Sequence, residues 1–226
     1  MPSLAEDLLL VLLNDTTGRP MVDSTSLDSV LAGAVLADLA LAGRIEVVEG
    51  EGFFGRERVR VVDAAPTGDD SADEALRLAG EKPRRGDQLV AKLGKGLRQG
   101  ILSRLEQRGI VHRQSTRVLG IFPRDRWPAQ DASAEHALRQ RLRDVLVVGT
   151  TPDDRTVALV ALLSAIDHAH KIFDGDRAER KAVKARAKAL AEGSWPAVAV
   201  RKAVQSSRAS NGAGASATIA AASVTT

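Results

Sequence analysis

At 226 residues and 44% hydrophobic, the chain can bury a real core as one sizeable domain or two small ones. It has no cysteine, which excludes disulfides and thiolate metal sites, and its net charge is only +3. Runs such as Val157 to Ile166 fall short of the roughly 20 apolar residues that span a bilayer. Met1 to Asp7 lacks a basic signal-peptide n-region, so the expected location is the cytosol.

In chain order, residues 1 to 55 are acidic, and Leu8, Leu9, Leu12 and Leu13 predict a first helix that stops at Asn14-Asp15. A second helix is expected from Ser26 to Ala42, with Val30, Leu31, Ala34, Val35 and Leu39 on a broad apolar face and Gly43 as its stop. Arg44 to Val48 and Arg56 to Val62, around Gly50, Gly52 and Gly55, read as a hairpin. Phe53-Phe54 at its tip is either an apolar wedge or strand packing. A helix over Asp69 to Glu81 follows Pro66-Thr67-Gly68, its early carboxylates suiting the positive helix end.

From Lys82 to Arg126, twelve Lys and Arg stand against Asp87, Glu106 and Asp125, a local balance of +9. Leu93, Leu97, Ile101 and Leu105 recur every four residues and predict an amphipathic helix, with Lys95 and Arg98 on neighbouring faces. The run Val118 to Phe122, closed by Pro123, reads as half of a second hairpin. Such polarisation predicts one face built for an anion. Trp127 suits either a lipid interface or the core.

Two further helices are expected, Ser133 to Leu146 and Thr156 to Phe173, then a solvated one rich in Ala, Lys and Arg over Arg177 to Leu190. His168 and His170, two apart, point to different faces of a helix, so no metal site is assigned. Catalytic sets and phosphate loops are missing as well, since Gly94-Lys95-Gly96 has neither loop's spacing, and no cofactor is expected. Residues 206 to 226 are Ser, Ala, Gly and Thr and predict a disordered tail, leaving 1 to 205 as the folded domain.

Three segments, Leu4-Ala5-Glu6-Asp7-Leu8-Leu9-Leu10, Asp38-Leu39-Ala40-Leu41-Ala42-Gly43-Arg44-Ile45, and Ala65-Pro66-Thr67-Gly68-Asp69 with Asp73-Glu74-Ala75-Leu76, resemble the Golgi phosphoprotein 3 family in order and spacing. The resemblance runs over about residues 3 to 205. It implies a mainly α, single-domain fold: a helical-bundle core, surrounding amphipathic helices and small β-hairpins, one of them projecting. It also implies a non-enzymatic peripheral membrane adaptor that binds phosphatidylinositol 4-phosphate and engages protein cargo such as glycosyltransferase tails. By resemblance the headgroup-binding cations are Lys95 and Arg98, and the hairpin that meets the membrane and self-associates is about His112 to Phe122. The arginine of the family's pocket falls on Ala32 and its tryptophan near Asp23, which removes a charged fork and a stacking surface.

The residues alone support an anionic membrane surface as partner, on the inner face of the membrane. Each basic side chain near acidic lipid contributes about 1 kcal/mol. Leu119, Ile121 and Phe122 contribute roughly 1.5 to 3 kcal/mol each where inserted, although strand packing on the core or on a second subunit suits them equally. The alternative is a winged-helix nucleic-acid binder, with Leu102 to Phe122 as recognition helix and wing and Arg104, Arg108, Arg113 and Arg117 on phosphates.

Overall fold

A computed structural model describes residues 2–14, 16–48, 57–118, 122–198 and 204–205, with the backbone alone at 95, 116–118 and 122–124. Helix α1, Leu4–Leu12, starts at a capping box: the Ser3 hydroxyl accepts from the Glu6 amide at 3.2 Å and the Ser3 amide donates to the Glu6 carboxylate at 3.0 Å. All nine of its residues are buried. Helix α2, Ser24–Leu41, is capped by Asp23, whose carboxylate accepts from the Ser26 amide at 2.9 Å. By length and composition α2 matches a bilayer span, longer than the runs counted in the sequence, yet 67% of it is buried inside the fold. Its apolar surface goes to α1 and the helices described next.

Strands β1, Ile45–Val48, and β2, Arg58–Val61, pair antiparallel with Ile45 opposite Val61. Helices α3, Asp70–Glu81, and α4, Gly86–Gln107, follow, and α2 packs on both. The four-residue apolar repeat of α4 is buried as expected, from Leu93 and Leu97 to Ile101 and Leu105. Strands β3, Gln114–Val118, and β4, Phe122–Arg126, form the second hairpin, paired from Gln114–Arg126 to Val118–Phe122. The single strand expected over Val118 to Phe122 is therefore shared between two strands that begin and end there. Trp127 is a core residue, its amide donating to the Gly18 carbonyl at 3.0 Å. A Cβ at Gly18 would lie 2.3 Å from the Trp127 backbone, so this close approach requires glycine.

Helix α5, Ser133–Arg143, runs into a π-turn, Asp144–Val148, and α6, Asp154–Ala165, ends well before the expected Phe173. Asp167 adopts φ +55° and the His168 amide turns back to the Leu163 carbonyl at 2.9 Å, so a left-handed residue stops a helix whose apolar pattern continues. A 3₁₀ turn, Ala169–Lys171, leads to α7, Arg177–Leu190. α7 packs on α6 and on both turns. The architecture is mainly α, and its principal core runs from Leu4 to Val204. The tail from 206 onward lies outside the described residues.

Candidate functional site

The residues that carry the family likeness turn out to fasten the fold. Gly43, at φ +67°, closes α2, with the Gly43 and Arg44 amides returning to the Ala40 and Leu39 carbonyls at 3.0 and 2.8 Å. Arg44 then reaches the Asp63 carbonyl at 3.0 Å and the Ala65 carbonyl, holding the loop that carries Pro66-Thr67-Gly68. Thr67 donates to Asp73 from its amide and its hydroxyl, each at 2.7 Å, while Asp69 caps α3 by accepting from Ser71 and Ala72. These hydrogen bonds hold the Asp73 carboxyl below its ordinary range. Asp38 accepts from the Leu4 amide at 2.7 Å and, with Asp7, takes Arg155, which locks α1, α2 and α6 together. Burial pushes the carboxyls of Asp7 and Asp38 up, against the pull of Arg155.

The sequence-derived site lies on α4 where it crosses α2. Gly94 allows the approach, since a Cβ there would meet the Asp28 carbonyl oxygen at 3.2 Å. One turn on, Arg98 Nε stands 3.8 Å from Asp28 Oδ1, both side chains being 35% exposed. Partial burial pushes the Asp28 carboxyl up, and Arg98 opposes that shift. Lys95 belongs to the same stretch of α4, but its side chain lies outside the described residues. Beside this crossing, Gly96 at φ +81°, Gly100, Ser103 and Arg104 line a cleft of about 530 Å³ between α3 and α4, with Asp70 and Glu74 on its other wall.

Among the described residues, carboxylates match half of the twelve cations of the basic stretch, Arg98 included. Arg84 pairs with Glu81 at 3.0 Å, Arg85 with Asp87, and Arg113 with Asp125 at 2.5 Å. Arg108 reaches the buried Glu6 at 2.8 Å, and Arg104 stands between Asp69 at 3.3 Å and Glu6 at 3.7 Å. The single anion face expected from the local +9 is thus reduced by the acidic amino-terminal part of the chain, and Arg104, Arg108 and Arg113 do not form the cationic row a recognition helix and wing would need. At the two positions where the family's pocket departs, Ala32 is fully buried core and Asp23 is the α2 cap. Leu119, Ile121 and the Phe53-Phe54 pair lie outside the described residues; Phe122 opens β4, its side chain likewise outside them.

A cationic row that sequence reasoning read as solvated surface is the α7 face bearing Arg177, Arg180, Lys181, Lys184 and Lys188, all exposed. Its signal was present as the three- and four-residue spacing of those cations. At the α6–α7 junction, burial pushes the His168 imidazole down to about 4. Among the described residues, no group of three or more His, Asp or Glu is placed to hold a metal ion.

The comparison with known families is decided along almost the whole folded chain: the family model described as Golgi phosphoprotein 3 (GPP34) matches residues 4–207. The chain belongs to the Golgi phosphoprotein 3 family. A curated relative, vacuolar protein sorting-associated protein 74 of Eremothecium gossypii, is 28% identical over 163 residues, covering 64% of this chain. The match takes in 49% of that protein, so the chain spans about half the length of the curated relative it matches. In this member of the Golgi phosphoprotein 3 family the α2 stop, the Arg44 clasp and the α3 cap fasten the fold, and Arg98 stands beside a carboxylate.

Proposed function

We propose that this protein is a non-catalytic adaptor that docks peripherally on anionic membranes, at the cytoplasmic face, with Lys95 and Arg98 as its headgroup-binding pair. The headgroup is of the phosphoinositide type, with phosphatidylinositol 4-phosphate as the first choice by family membership. Leu119, Ile121 and Phe122 are the apolar contact of the β3–β4 hairpin in this reading, which also serves self-association, and protein tails are the cargo.

The observation that carries the reading is the looseness of the Arg98–Asp28 pair. At 3.8 Å it is too long for a hydrogen bond, unlike the 2.8 Å pair of Arg108 with Glu6. A phosphate offers a guanidinium two parallel charge-assisted bonds, and Asp28, disfavoured as an anion by its burial, is a weak competitor for it. Arg98 is thus a cation of the basic stretch whose present partner a headgroup can displace.

Flotation with vesicles of phosphatidylcholine, with and without phosphatidylinositol 4-phosphate, tests this. Lys95→Glu with Arg98→Glu is expected to abolish the increment due to the phosphoinositide. If the double variant floats like the parent on those vesicles, the headgroup site is elsewhere.

A further inference from the structure

We infer that α7 and the π-turn packed against it form a second membrane-contact face, one that reads acidic charge without recognising a particular headgroup. The inference rests on the membrane reading above, but on different residues.

At 100° per residue, Arg177, Arg180, Lys181, Lys184 and Lys188 fall within an arc of about 100° and extend about 16 Å along the helix axis. All five are exposed. Among the described residues only Lys184 of these has an ion-pair partner, Asp167 at 2.8 Å, and that pair is itself 58% and 59% exposed, so water already weakens it. Across α7 as a whole, six Lys and Arg face one acid, Glu179, which is turned about 100° away from Arg180 and accepts from the Asp176 amide at 2.8 Å in the capping box. Asp174 and Asp176 stand before the helix, and Glu192 follows Lys188 by four residues.

The second observation is independent of charge. Val148, 71% exposed, is the most exposed large apolar side chain among the described residues, and Val147 beside it is 44% exposed. Both belong to the π-turn, and Val147 shares a shallow crevice with Arg143, Phe173, Arg180 and Val183. A π-turn places them there, because its wider ring shifts the side-chain register of α5 at its end and Gly149, at φ +100°, then turns the chain away.

Val147 lies beside Arg180 at the edge of the row, and an apolar side chain next to a row of cations suits a bilayer, where the cations meet phosphates and the valine enters the headgroup boundary. Against a nucleic acid the valines would face only phosphate and water. α4 packs on α2, α2 on α6, and α6 on α7, so the α7 face is separate from the Arg98 crossing and either can be removed alone.

The test uses the full chain and vesicles of phosphatidylcholine with and without phosphatidylserine. Lys181→Gln, Lys184→Gln and Lys188→Gln together should weaken binding to the acidic vesicles on the order of 100-fold, by the surface attraction of three lysines. Val147→Ser with Val148→Ser should weaken it about 10-fold. Acidic-vesicle binding by the triple lysine variant equal to the parent's would overturn the α7 face while leaving the Arg98 site standing. Parent protein that binds neither phosphatidylserine vesicles nor phosphatidylinositol 4-phosphate vesicles would overturn both. Duplex DNA that binds the parent more tightly than the vesicles do, and loses that binding in the triple variant, would also overturn the inference and assign the row to nucleic acid.

Discussion

The stretch from Lys82 to Arg126 and helix α7 are both rich in Lys and Arg, yet they carry their charge to different ends. In the first, cations fold inward onto carboxylates contributed by distant parts of the chain: Arg108 and Arg104 onto Glu6, and Arg98 toward Asp28. In α7 the five cations of the row are exposed, with Lys184–Asp167 as the row's ion pair among the described residues, while Arg186 turns inward and donates to the Val145 carbonyl at 2.6 Å. A local charge count therefore measures what a segment brings to the fold; how much of it reaches the surface depends on which acids the tertiary structure places opposite.

The sharpest way to break this contrast is stability. Arg104→Ala with Arg108→Ala leaves Glu6, only 5% exposed, without its cations, and should cost about 2 to 3 kcal/mol in urea unfolding, at or below the lower end of the range of about 3 to 5 kcal/mol for a fully buried pair because both guanidiniums also reach water. An unchanged unfolding midpoint would mean that the inward cations of α4 are as expendable as those of α7.

The junction beneath α7 should respond to acid next. His168 is held neutral, with its imidazole pushed down to about 4, below the usual value of about 6.5. A depressed histidine contributes stability that is whole above about pH 6.5 and is lost as pH falls toward about 4, since the unfolded chain takes up the proton first. Melting temperatures followed over that window should fall with acid, and His168→Met should flatten the fall.

A smaller effect sharpens the comparison at the binding level. Asp28→Asn removes the carboxylate facing Arg98 and should tighten binding to phosphoinositide vesicles about threefold to tenfold. Because burial raises the Asp28 carboxyl, the advantage of Asp28→Asn over the parent should shrink as pH falls toward the carboxylate range, where the parent's own carboxylate is lost. Lysines and arginines of α7 do not titrate there, so their contribution to phosphatidylserine binding should not share that pH dependence. Least of all should the triple lysine-to-glutamine change in α7 alter stability, within about 0.5 kcal/mol, as expected of exposed side chains whose ion pair, Lys184 with Asp167, is itself exposed.

Several features were legible in the residues alone because their causes are local. The α2 stop at Gly43 follows from a left-handed residue that glycine adopts without strain, and the α3 start follows from Asp69 reaching its own helix amides. The buried repeat of Leu93, Leu97, Ile101 and Leu105 follows from helical geometry. Other features had no local signal. The apolar pattern through Ile166 and Ile172 gave no hint that Asp167 would leave the helix, and the strand expected over Val118 to Phe122 was divided by a pairing register that a single segment does not encode.

By itself, the order of residues determined the mainly α class, the helix caps, the two hairpins and membership of the Golgi phosphoprotein 3 family, all of which depend on short-range periodicity and motif spacing. Only the tertiary structure decided which cations are spent on Glu6 and Asp28 and which remain in solvent on α7, and that Ala32 and Trp127 are core. The reason is distance along the chain: Glu6 and Arg108 meet across 102 residues, and the Coulomb attraction that joins them exists only once the helices have packed.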